Sequence, residues 1–291
     1  MKRAFRPGQL SPLGRRAFAT GGGAALPPPP PSYDQRPQNS VRRHRERAAY
    51  DYATVHAIVG ASAVLHVSFV PPTPPASAFP TTLPMIGAAC SFAQPAADPA
   101  AQPLDIYVHG HAASRLMRLP GGGLLPGGLP VCVAATLLDG IVLALTPFNH
   151  SCNYRSVVAH GYATAVTDDA ERAFAMHRIT DALVARRWAN SRVPPTPGEM
   201  QATGIIKIAI ATASAKIRAA GPSDSRHDLD DDDVAGRVWA GVIPVWQTLG
   251  APVAGPDNRV AELPPYLKQW RDESNRAAEA QARRAAGASE G

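Results

Sequence analysis

The stretch formed by residues 129–161 constrains the fold most, because it joins the most apolar run of the chain to its densest cluster of polar side chains. Its first part is long enough to suggest a membrane span, but Asp139 would then lie inside the bilayer at a cost of about 2.5–3.5 kcal/mol. Asp139-Gly140 between apolar, partly β-branched runs is instead typical of a type I′ turn, which needs positive φ at both positions. The sequence therefore predicts a hairpin of two buried strands, at residues 131–138 and 141–145, and no membrane contact.

Other apolar patterns predict a chain made mostly of short strands. A strand is expected at residues 155–166, after the hairpin. Further strands are predicted at residues 64–70, 79–86, 104–108, 204–211 and 238–245, and helices at about 49–59, 112–119 and 168–188. Proline-rich or glycine-rich loops are predicted at residues 71–80, 87–102 and 121–128. Short strands linked by turns, with one long helix, predict an α+β fold that is mainly β, a small barrel with flanking helices.

The positive charge of the chain is concentrated at its N-terminus. The net charge is +6, yet residues 1–50 hold ten Lys and Arg against only two acidic residues, so the remainder is slightly acidic. A nucleic-acid-binding domain needs a basic face, and we therefore expect no nucleic-acid partner. We expect a disordered basic, proline-rich tail at residues 1–38, a folded domain at 39–256 and a partly helical or disordered tail at 257–291.

Cysteine usage and the N-terminal composition bear on the cellular compartment. Cys90, Cys132 and Cys152 make an odd count without a CxxC pair, which argues against a disulfide framework or a four-cysteine zinc site. A reducing, cytoplasmic location fits this pattern. The first 20 residues hold five basic residues and no acidic one, as transit peptides do, although Pro7 and Pro12 weaken the necessary helix. A mitochondrial location is therefore the alternative.

The junction after the strand at residues 104–108 has the clearest anion-binding pattern. The strand runs into HGHAASRLMRL, where Ser114 and Arg115 can offer a hydroxyl, a guanidinium and backbone N–H groups to a phosphate at a helix start. The same residues also fit a capped helix with an exposed arginine, and both interpretations stay open.

Other polar residues also have two interpretations. His109, His111 and His150 could share a zinc ion, but no cysteine or carboxylate has a suitable spacing, so no metal is expected. The residues around Arg155 could form either a hydrogen-bonded structural segment or one edge of a ligand site. Lys216 and Arg218 form a second basic pair that fits a solvated strand end.

Eight segments occur in an order and with motifs that resemble a known family. They are RAAYDYATVHAI, LHVSFV, FPTTLPMI, IYVHGHAASRLMR, VCVAATLLDGIVLA, FNHSCNYRSVVAHG, SAKIR and VWAGVIPV. From about residue 39 to residue 256, the chain resembles the flavin-nucleotide-binding branch of the pyridoxamine 5′-phosphate oxidase-like split barrels.

This resemblance implies a split β-barrel with Greek-key-like antiparallel strands and a homodimer that binds FMN at the subunit interface. Ser114 and Arg115 would hold the phosphate, while Arg155 and Ser156 would approach the isoalloxazine or the ribityl chain. By position in the family's motifs, the residues expected to bind FMN are Pro84, Met85, Ile86, His109, Gly110, Ser114, Arg115, Arg155, Ser156 and Trp239.

The implied function is that of an FMN-dependent oxidoreductase acting on a small molecule, in which Arg155 or Lys216 stabilises negative charge on the reduced flavin. No catalytic residue is identified. The C-terminal arginine motif of true pyridoxamine-phosphate oxidases is missing, which argues against vitamin B6 oxidation. The alternatives are a flavin-storing module without turnover and a haem-binding barrel with His109 or His150 as the axial ligand.

Overall fold

The computed structural model describes residues 29–71, 79–120 and 127–287. The transit-like first 20 residues, most of the predicted tail at residues 1–38 and parts of the predicted loops at 71–80 and 121–128 lie outside these ranges. The strands are β1 (Ala48–Ala49), β2 (Leu65–Phe69), β3 (Thr81–Met85), β4 (Gly87–Cys90), β5 (Asp105–His111), β6 (Leu129–Leu143), β7 (Ser151–Ala165), β8 (Thr203–Arg218) and β9 (Gly241–Pro244). The helices are α1 (Tyr52–Ala61), α2 (Arg115–Arg118), α3 (Asp169–Leu183), α4 (Pro197–Ala202), α5 (Arg226–Leu229), α6 (Asp232–Arg237) and α7 (Pro265–Ala285). None of the helices in these ranges combines the length and the apolar composition of a membrane span.

Three long strands, β6, β7 and β8, form the centre of one antiparallel sheet. The strand order is β3-β2-β6-β7-β8-β5-β4, with β1 paired to β8 and β9 paired to β6. Strands β3 and β4 stand at opposite ends of this order, yet only Ile86 separates them in the chain. The sheet must therefore curl until its two edge strands approach each other without pairing, which makes a split β-barrel and confirms the predicted fold class.

The hairpin predicted at Asp139-Gly140 is wrong, because β6 continues through both residues. The register between β6 and β7 shifts between Leu138 and Gly140, so Asp139 is the extra residue of a β-bulge. Gly140 does not have the positive φ that a type I′ turn requires. Because glycine has no side chain, β9 can lie close to Gly140. A Cβ at this position would lie only 2.9 Å from Val242 Cγ1. The Asp-Gly pair marks a bulge where a third strand approaches.

Two further local predictions are also wrong. The loop expected at residues 87–102 begins with strand β4, which pairs with β5. Gly87 permits this pairing, because a Cβ there would lie 2.7 Å from the carbonyl oxygen of Tyr107. Arg218, expected at a solvated strand end, is only 5% exposed. Both differences arise from strand contacts between distant parts of the chain.

Helix α1 packs its apolar side into the barrel core. The Asp51 side chain accepts a hydrogen bond from the Thr54 N–H (2.8 Å) and caps the helix start. Val55, Ile58 and Val59 are buried in the same cluster as the inward side chains of the sheet. The helix therefore contributes to the core that holds the barrel together.

His56 of α1 is buried and hydrogen-bonded at both ring nitrogens. Its Nδ1 lies 2.7 Å from the Pro99 carbonyl oxygen, which can only accept, so Nδ1 carries the proton. The Tyr33 hydroxyl then donates to Nε2 across 2.7 Å. Burial lowers the pKa of His56, although the Pro99 bond opposes this effect. The folded protein therefore favours the neutral imidazole.

We expect the free energy of unfolding to fall as the pH drops below about 6.5, the usual histidine pKa. In that range the unfolded chain binds a proton at His56 more readily than the folded chain does. Urea denaturation of the native protein and of His56→Gln, at about pH 7.5 and about pH 5.5, measures this effect. The variant should lose less stability on acidification. His66→Gln, at an exposed position on β2, should behave like the native protein; an equal loss in all three proteins would contradict the assignment.

Helix α7 is attached to the barrel through a buried pair, Asn153 and Arg218. The Asn153 amide donates to the carbonyl oxygens of Ala220 (3.1 Å) and Ala285 (2.9 Å), and Arg218 Nη1 donates to Asn153 Oδ1. The Ala220 N–H also donates to the Ala285 carbonyl (2.9 Å). Ala285 is the last residue of α7, so the positive guanidinium lies near the negative end of the helix dipole. These bonds fix the end of α7 against β7 and β8.

Candidate functional site

The structure brings one group of the predicted site residues together at the end of β5. A Cβ at Gly110 would lie 3.6 Å from Met85 Cε, so the end of β3 contacts the end of β5. The His109 ring lies beside the backbone of Ile86. The segment of residues 109–115, called the β5 turn below, thus adjoins the end of β3. This group consists of Pro84, Met85, Ile86, His109, Gly110, Ser114 and Arg115.

The polar groups of Ser114 and Arg115, at the end of the β5 turn, can bind a ligand because they are not used in a helix cap or an ion pair of the described structure. Ser114 occupies the cap position of α2, but its hydroxyl makes no capping hydrogen bond. Arg115 is exposed and has no ion-pair partner among the residues that the structure describes. Helix α2 spans only four residues, so its dipole adds little. An anion at this turn would be held by the hydroxyl and the guanidinium.

His109 adds a buried polar atom at the start of the turn. Its Nδ1 has no hydrogen-bond partner in the described part of the chain. Burial lowers the pKa of His109, and the Ile86 backbone partly opposes the shift. The folded protein therefore favours the neutral imidazole at this position.

Arg155 forms the second group, and the charge on its side chain is already compensated. Its Nε and Nη2 donate to Asp139 Oδ2 and Oδ1, both at 2.8 Å. The Asp139 side chain is 5% exposed and that of Arg155 is 24% exposed. The bulge in β6 thus places a buried carboxylate against the predicted ligand residue. This pairing reduces the charge that Arg155 can contribute to a ligand.

Ser156, Lys216 and Trp239 lie at the same end of the sheet as Arg155. Ser156 and Lys216 are cross-strand partners, and the Ser156 hydroxyl donates to the Lys216 carbonyl (3.1 Å). Lys216 has no ion-pair partner within the described ranges. Trp239 is 65% exposed and packs over Gly241 just before β9. Lys216 is therefore an uncompensated positive charge beside Ser156.

The two groups lie at opposite ends of β8. His109 pairs with Ile205, whereas Arg155 pairs with Ile217. These partners are twelve positions apart, or about 40 Å of strand at about 3.3 Å per residue. A single chain therefore does not bring the β5 turn and Arg155 into one cleft.

A third feature, His160 on β7, was missed by the sequence analysis. Across the sheet, His160 is the partner of Cys132 on β6 and of Thr212 on β8, so the three side chains share the outer face. Next to them, Ala211 is left unpaired at a second β-bulge. These residues line a groove of about 380 Å³ on the outer face. Gly161, an isolated glycine inside a strand pattern, was the sequence signal for this bulge.

A family model described as pyridoxamine 5′-phosphate oxidase matches residues 51–217, more than half of the chain. The chain belongs to this family. The match covers the β5 turn, Arg155 and Ser156, but it ends before Trp239. This match confirms the family resemblance that was inferred from the sequence motifs. No curated protein matches the chain.

Two solved structures resemble this family member over nearly their whole length. The flavocytochrome Anf3 from Azotobacter vinelandii is 29% identical, with a TM-score of 0.64 over 81% of this chain and 97% of its own. The FAD and haem binding protein from Mycobacterium smegmatis is 26% identical, with a TM-score of 0.62 over 77% of this chain and 97% of its own. This chain therefore shares its overall fold with both proteins.

Proposed function

We propose that this protein binds a flavin nucleotide at the β5 turn and that Ser114 and Arg115 hold its phosphate. The observation that carries the proposal is the pair of available groups, a hydroxyl and a guanidinium, inside the segment that the family model matches. Guanidinium groups suit phosphate because their N–H donors match its oxygens. A flavocytochrome and an FAD-binding protein are among the solved structures that resemble the chain.

The resemblance implies FMN, whereas the protein from M. smegmatis binds FAD. FMN and FAD share the isoalloxazine, the ribityl chain and the first phosphate, so the β5 turn suits the common part of both. We propose FMN as the nucleotide, because the turn offers one arginine–serine pair for one phosphate. Mass spectrometry of the cofactor released from the purified full-length chain tests this choice. Recovery of FAD instead would contradict it.

Replacing Ser114 and Arg115 by alanine should weaken flavin binding by about 100-fold, since a hydrogen bond to a charged group is worth about 1.5–3 kcal/mol. Quenching of flavin fluorescence by the apoprotein, with FMN and FAD titrated separately, measures both affinities. Arg118→Ala is the matched control, because Arg118 is an exposed arginine one turn later on α2. Unchanged affinity in the double variant would show that the phosphate lies elsewhere.

The flavin would supply the hydride or electron transfer, and the protein would position it. Lys216, rather than Arg155, has the uncompensated charge that stabilises a negative ligand group, because Asp139 neutralises Arg155. We therefore propose a flavin-dependent oxidoreductase with a small-molecule substrate. Bleaching of the bound flavin by a nicotinamide donor, followed by reoxidation, supports turnover. A flavin that stays oxidised with NADH and with NADPH supports the storage role instead.

We also propose that two copies of the chain form a homodimer with the flavin at their interface. The β5 turn and Arg155 lie at opposite ends of β8, so a second copy is needed to bring one group to the other. Four exposed apolar side chains occupy the Arg155 end of the sheet, and we call them the β9 patch: Leu138, Ile141, Trp239 and Ile243. Exposed apolar patches of this kind mark interaction surfaces.

A charge in the β9 patch should separate the dimer. Ile243→Lys should convert a dimer into a monomer in light scattering and should lower flavin affinity as well, because the site would be incomplete. Val253→Lys is the matched control, since Val253 is an exposed apolar residue outside the patch. A monomeric variant that binds flavin as tightly as the native protein would contradict the interface proposal.

A second cofactor, haem, is favoured by one observation in this chain. The His160 side chain and the Cys132 side chain both line a mostly apolar groove, and imidazole and thiolate are both haem ligands. Both solved structures described above belong to proteins that contain haem together with a flavin. We therefore propose that the chain binds haem as well as flavin. A Soret band in the purified protein, beside the flavin absorption, is the expected result.

A further inference from the structure

We infer that a cavity between Arg47 and Arg218 binds the carboxylate group of the small-molecule substrate. This inference rests on the proposed oxidoreductase function and adds the chemical class of its substrate. The cavity lies between the segment that precedes β1 and the end of β8. Its volume of about 550 Å³ falls in the range of about 300–1,000 Å³ for small-molecule sites.

Arg218 is a buried cation that has no carboxylate partner among the described residues. The residue is only 5% exposed. Its Nη1 donates to Asn153 Oδ1 and to the Ala220 carbonyl oxygen (3.3 Å), and its Nη2 donates to the Gly221 carbonyl oxygen (2.9 Å). All three acceptors are neutral, and the end of α7 adds only about half a negative charge. Because buried charges are normally paired with an opposite charge, this position favours a bound anion.

The guanidinium of Arg218 keeps two donors for a ligand. A guanidinium has five N–H donors, and the three bonds above use three of them. No hydrogen bond of the described structure uses Nε, and one N–H of Nη2 also remains. These are the same two nitrogens through which Arg155 holds the Asp139 carboxylate. Arg218 can therefore hold a carboxylate through two hydrogen bonds in the same way.

Arg47 supplies a second positive charge to the cavity. Its Nε lies 3.6 Å from Glu46 Oε1, which is too long for a hydrogen bond. Glu46 instead accepts a hydrogen bond from His44 Nδ1 (3.1 Å). Burial lowers the pKa of Arg218, and the positive charge of Arg47 lowers it further. The two guanidinium groups therefore repel each other, and an anion between them would relieve the repulsion.

The charge of the cavity favours a carboxylate over a phosphate. The lining holds two arginines and one glutamate, a net charge of +1, and its other polar side chain is Ser223. A carboxylate carries a single negative charge, whereas a phosphate monoester carries about −1.5 to −2 near pH 7. The remaining lining residues are apolar: Ala48, Ala49, Ile217, Ala219 and Ala220. They suit a compact apolar body attached to the carboxylate.

The position of the cavity places its ligand beside the charge that we propose to stabilise the reduced flavin. This charge belongs to Lys216, which is the cross-strand partner of Ala48 in the cavity lining. Lys216 is also two residues from Arg218 on β8, a distance of about 7 Å along the strand. A substrate whose carboxylate is held by Arg218 is therefore anchored next to the proposed flavin site.

Calorimetric titration of the full-length protein with benzoate tests the inference, and benzamide is the neutral control ligand of nearly the same shape. Benzoate should bind more tightly, because only its carboxylate is charged. Arg47→Gln should weaken benzoate binding by at least about tenfold, since it removes a charged hydrogen-bond donor. Arg45→Gln is the control variant and should bind benzoate like the native protein, because Arg45 is exposed and does not line the cavity.

A pair of variants at Ala219 keeps the test decisive if Arg47→Gln does not fold. Ala219 is exposed and lines the cavity. Ala219→Glu should block benzoate, because the new carboxylate competes for the same arginines. Ala219→Gln adds a neutral side chain of nearly the same size and should bind benzoate much more tightly than Ala219→Glu does. Equal affinity in the two variants would contradict the charge assignment.

The visible spectrum of the bound flavin tests the placement of the ligand. Benzoate should change the flavin absorption of the native protein, and Arg47→Gln should need at least about tenfold more benzoate for the same change. An unchanged spectrum at saturating benzoate would show that the cavity is not the substrate site. Three results of the calorimetry would also overturn the inference: equal binding of benzamide, tighter binding of inorganic phosphate, or native affinity in Arg47→Gln.

The Ser114-Arg115 double variant separates this inference from the proposed flavin site. Benzoate should bind to it with native affinity, because Arg47 and Arg218 are unchanged. Loss of benzoate binding in this variant would contradict a site formed by these two arginines. A native protein that binds benzoate through Arg47 but contains no flavin would refute the proposed function and leave the carboxylate site in place.

Discussion

Arg155→Met should lower the free energy of unfolding by about 3–5 kcal/mol, because it leaves the buried Asp139 carboxylate without its partner. The carboxylate lies in the bulge of β6, where it accepts two hydrogen bonds from Arg155 (2.8 Å each). Urea denaturation measures the loss. Arg118→Met is the matched control, since Arg118 is exposed and has no ion-pair partner in the described structure; its stability should change by less than about 0.5 kcal/mol.

The double variant Asp139→Asn with Arg155→Met separates lost charge compensation from lost packing. It removes the buried charge along with its partner, so it should recover most of the stability that Arg155→Met loses. If the double variant is as unstable as Arg155→Met, the ion pair is not the main contribution of Arg155. Flavin titration of the double variant then measures what Arg155 adds to the ligand site itself.

Asn153→Ala should lower the free energy of unfolding by about 3 kcal/mol, since it removes three hydrogen bonds of a buried side chain, worth about 1 kcal/mol each. Asn153 is fully buried, and its amide bonds the last residue of α7, Ala285. The variant also removes an acceptor from Arg218. Denaturation measures the global effect, and hydrogen exchange measures the loosening at the end of α7.

Asn275→Ala is the matched control on α7 itself. Asn275 is partly buried, but its two hydrogen bonds with the backbone of Leu249 (2.8 and 3.0 Å) are exposed to solvent, so its loss should cost less than about 1 kcal/mol. If both variants lose equal stability, or if hydrogen exchange in α7 does not change in Asn153→Ala, the buried pair does not attach the helix to the barrel.

The site could be predicted from the sequence only where its residues are close together in the chain. Ser114 and Arg115 are neighbours in a short motif, and the structure places both at a turn with their polar groups available. The role of Arg155 could not be judged in the same way, because its partner Asp139 comes from another strand and from a bulge. The sequence predicted a turn at Asp139, which would have placed its carboxylate in solvent.

The groove around His160 could be predicted from the sequence even less than the pairing of Arg155 with Asp139. The neighbours of His160 in the groove come from β2, β6 and β8, so no short segment of sequence contains them. The isolated glycine at position 161 indicated a bulge, but it did not show which side chains share a face with His160. This information depends on the register of three strands.

The antiparallel, mainly β fold and the family could both be established from the residues, because alternation along strands and the order of motifs are properties of the chain itself. The bulges at Asp139 and Ala211, the burial of Arg218 and the separation of the β5 turn from Arg155 were decided by the tertiary structure. Strand register sets which side chains meet, and a shift of one residue moves a side chain to the other face. Residues 129–161 illustrate both cases: their apolar content predicted buried strands, but only the pairing of β6 with β7 and β9 showed that the strand does not turn at Asp139.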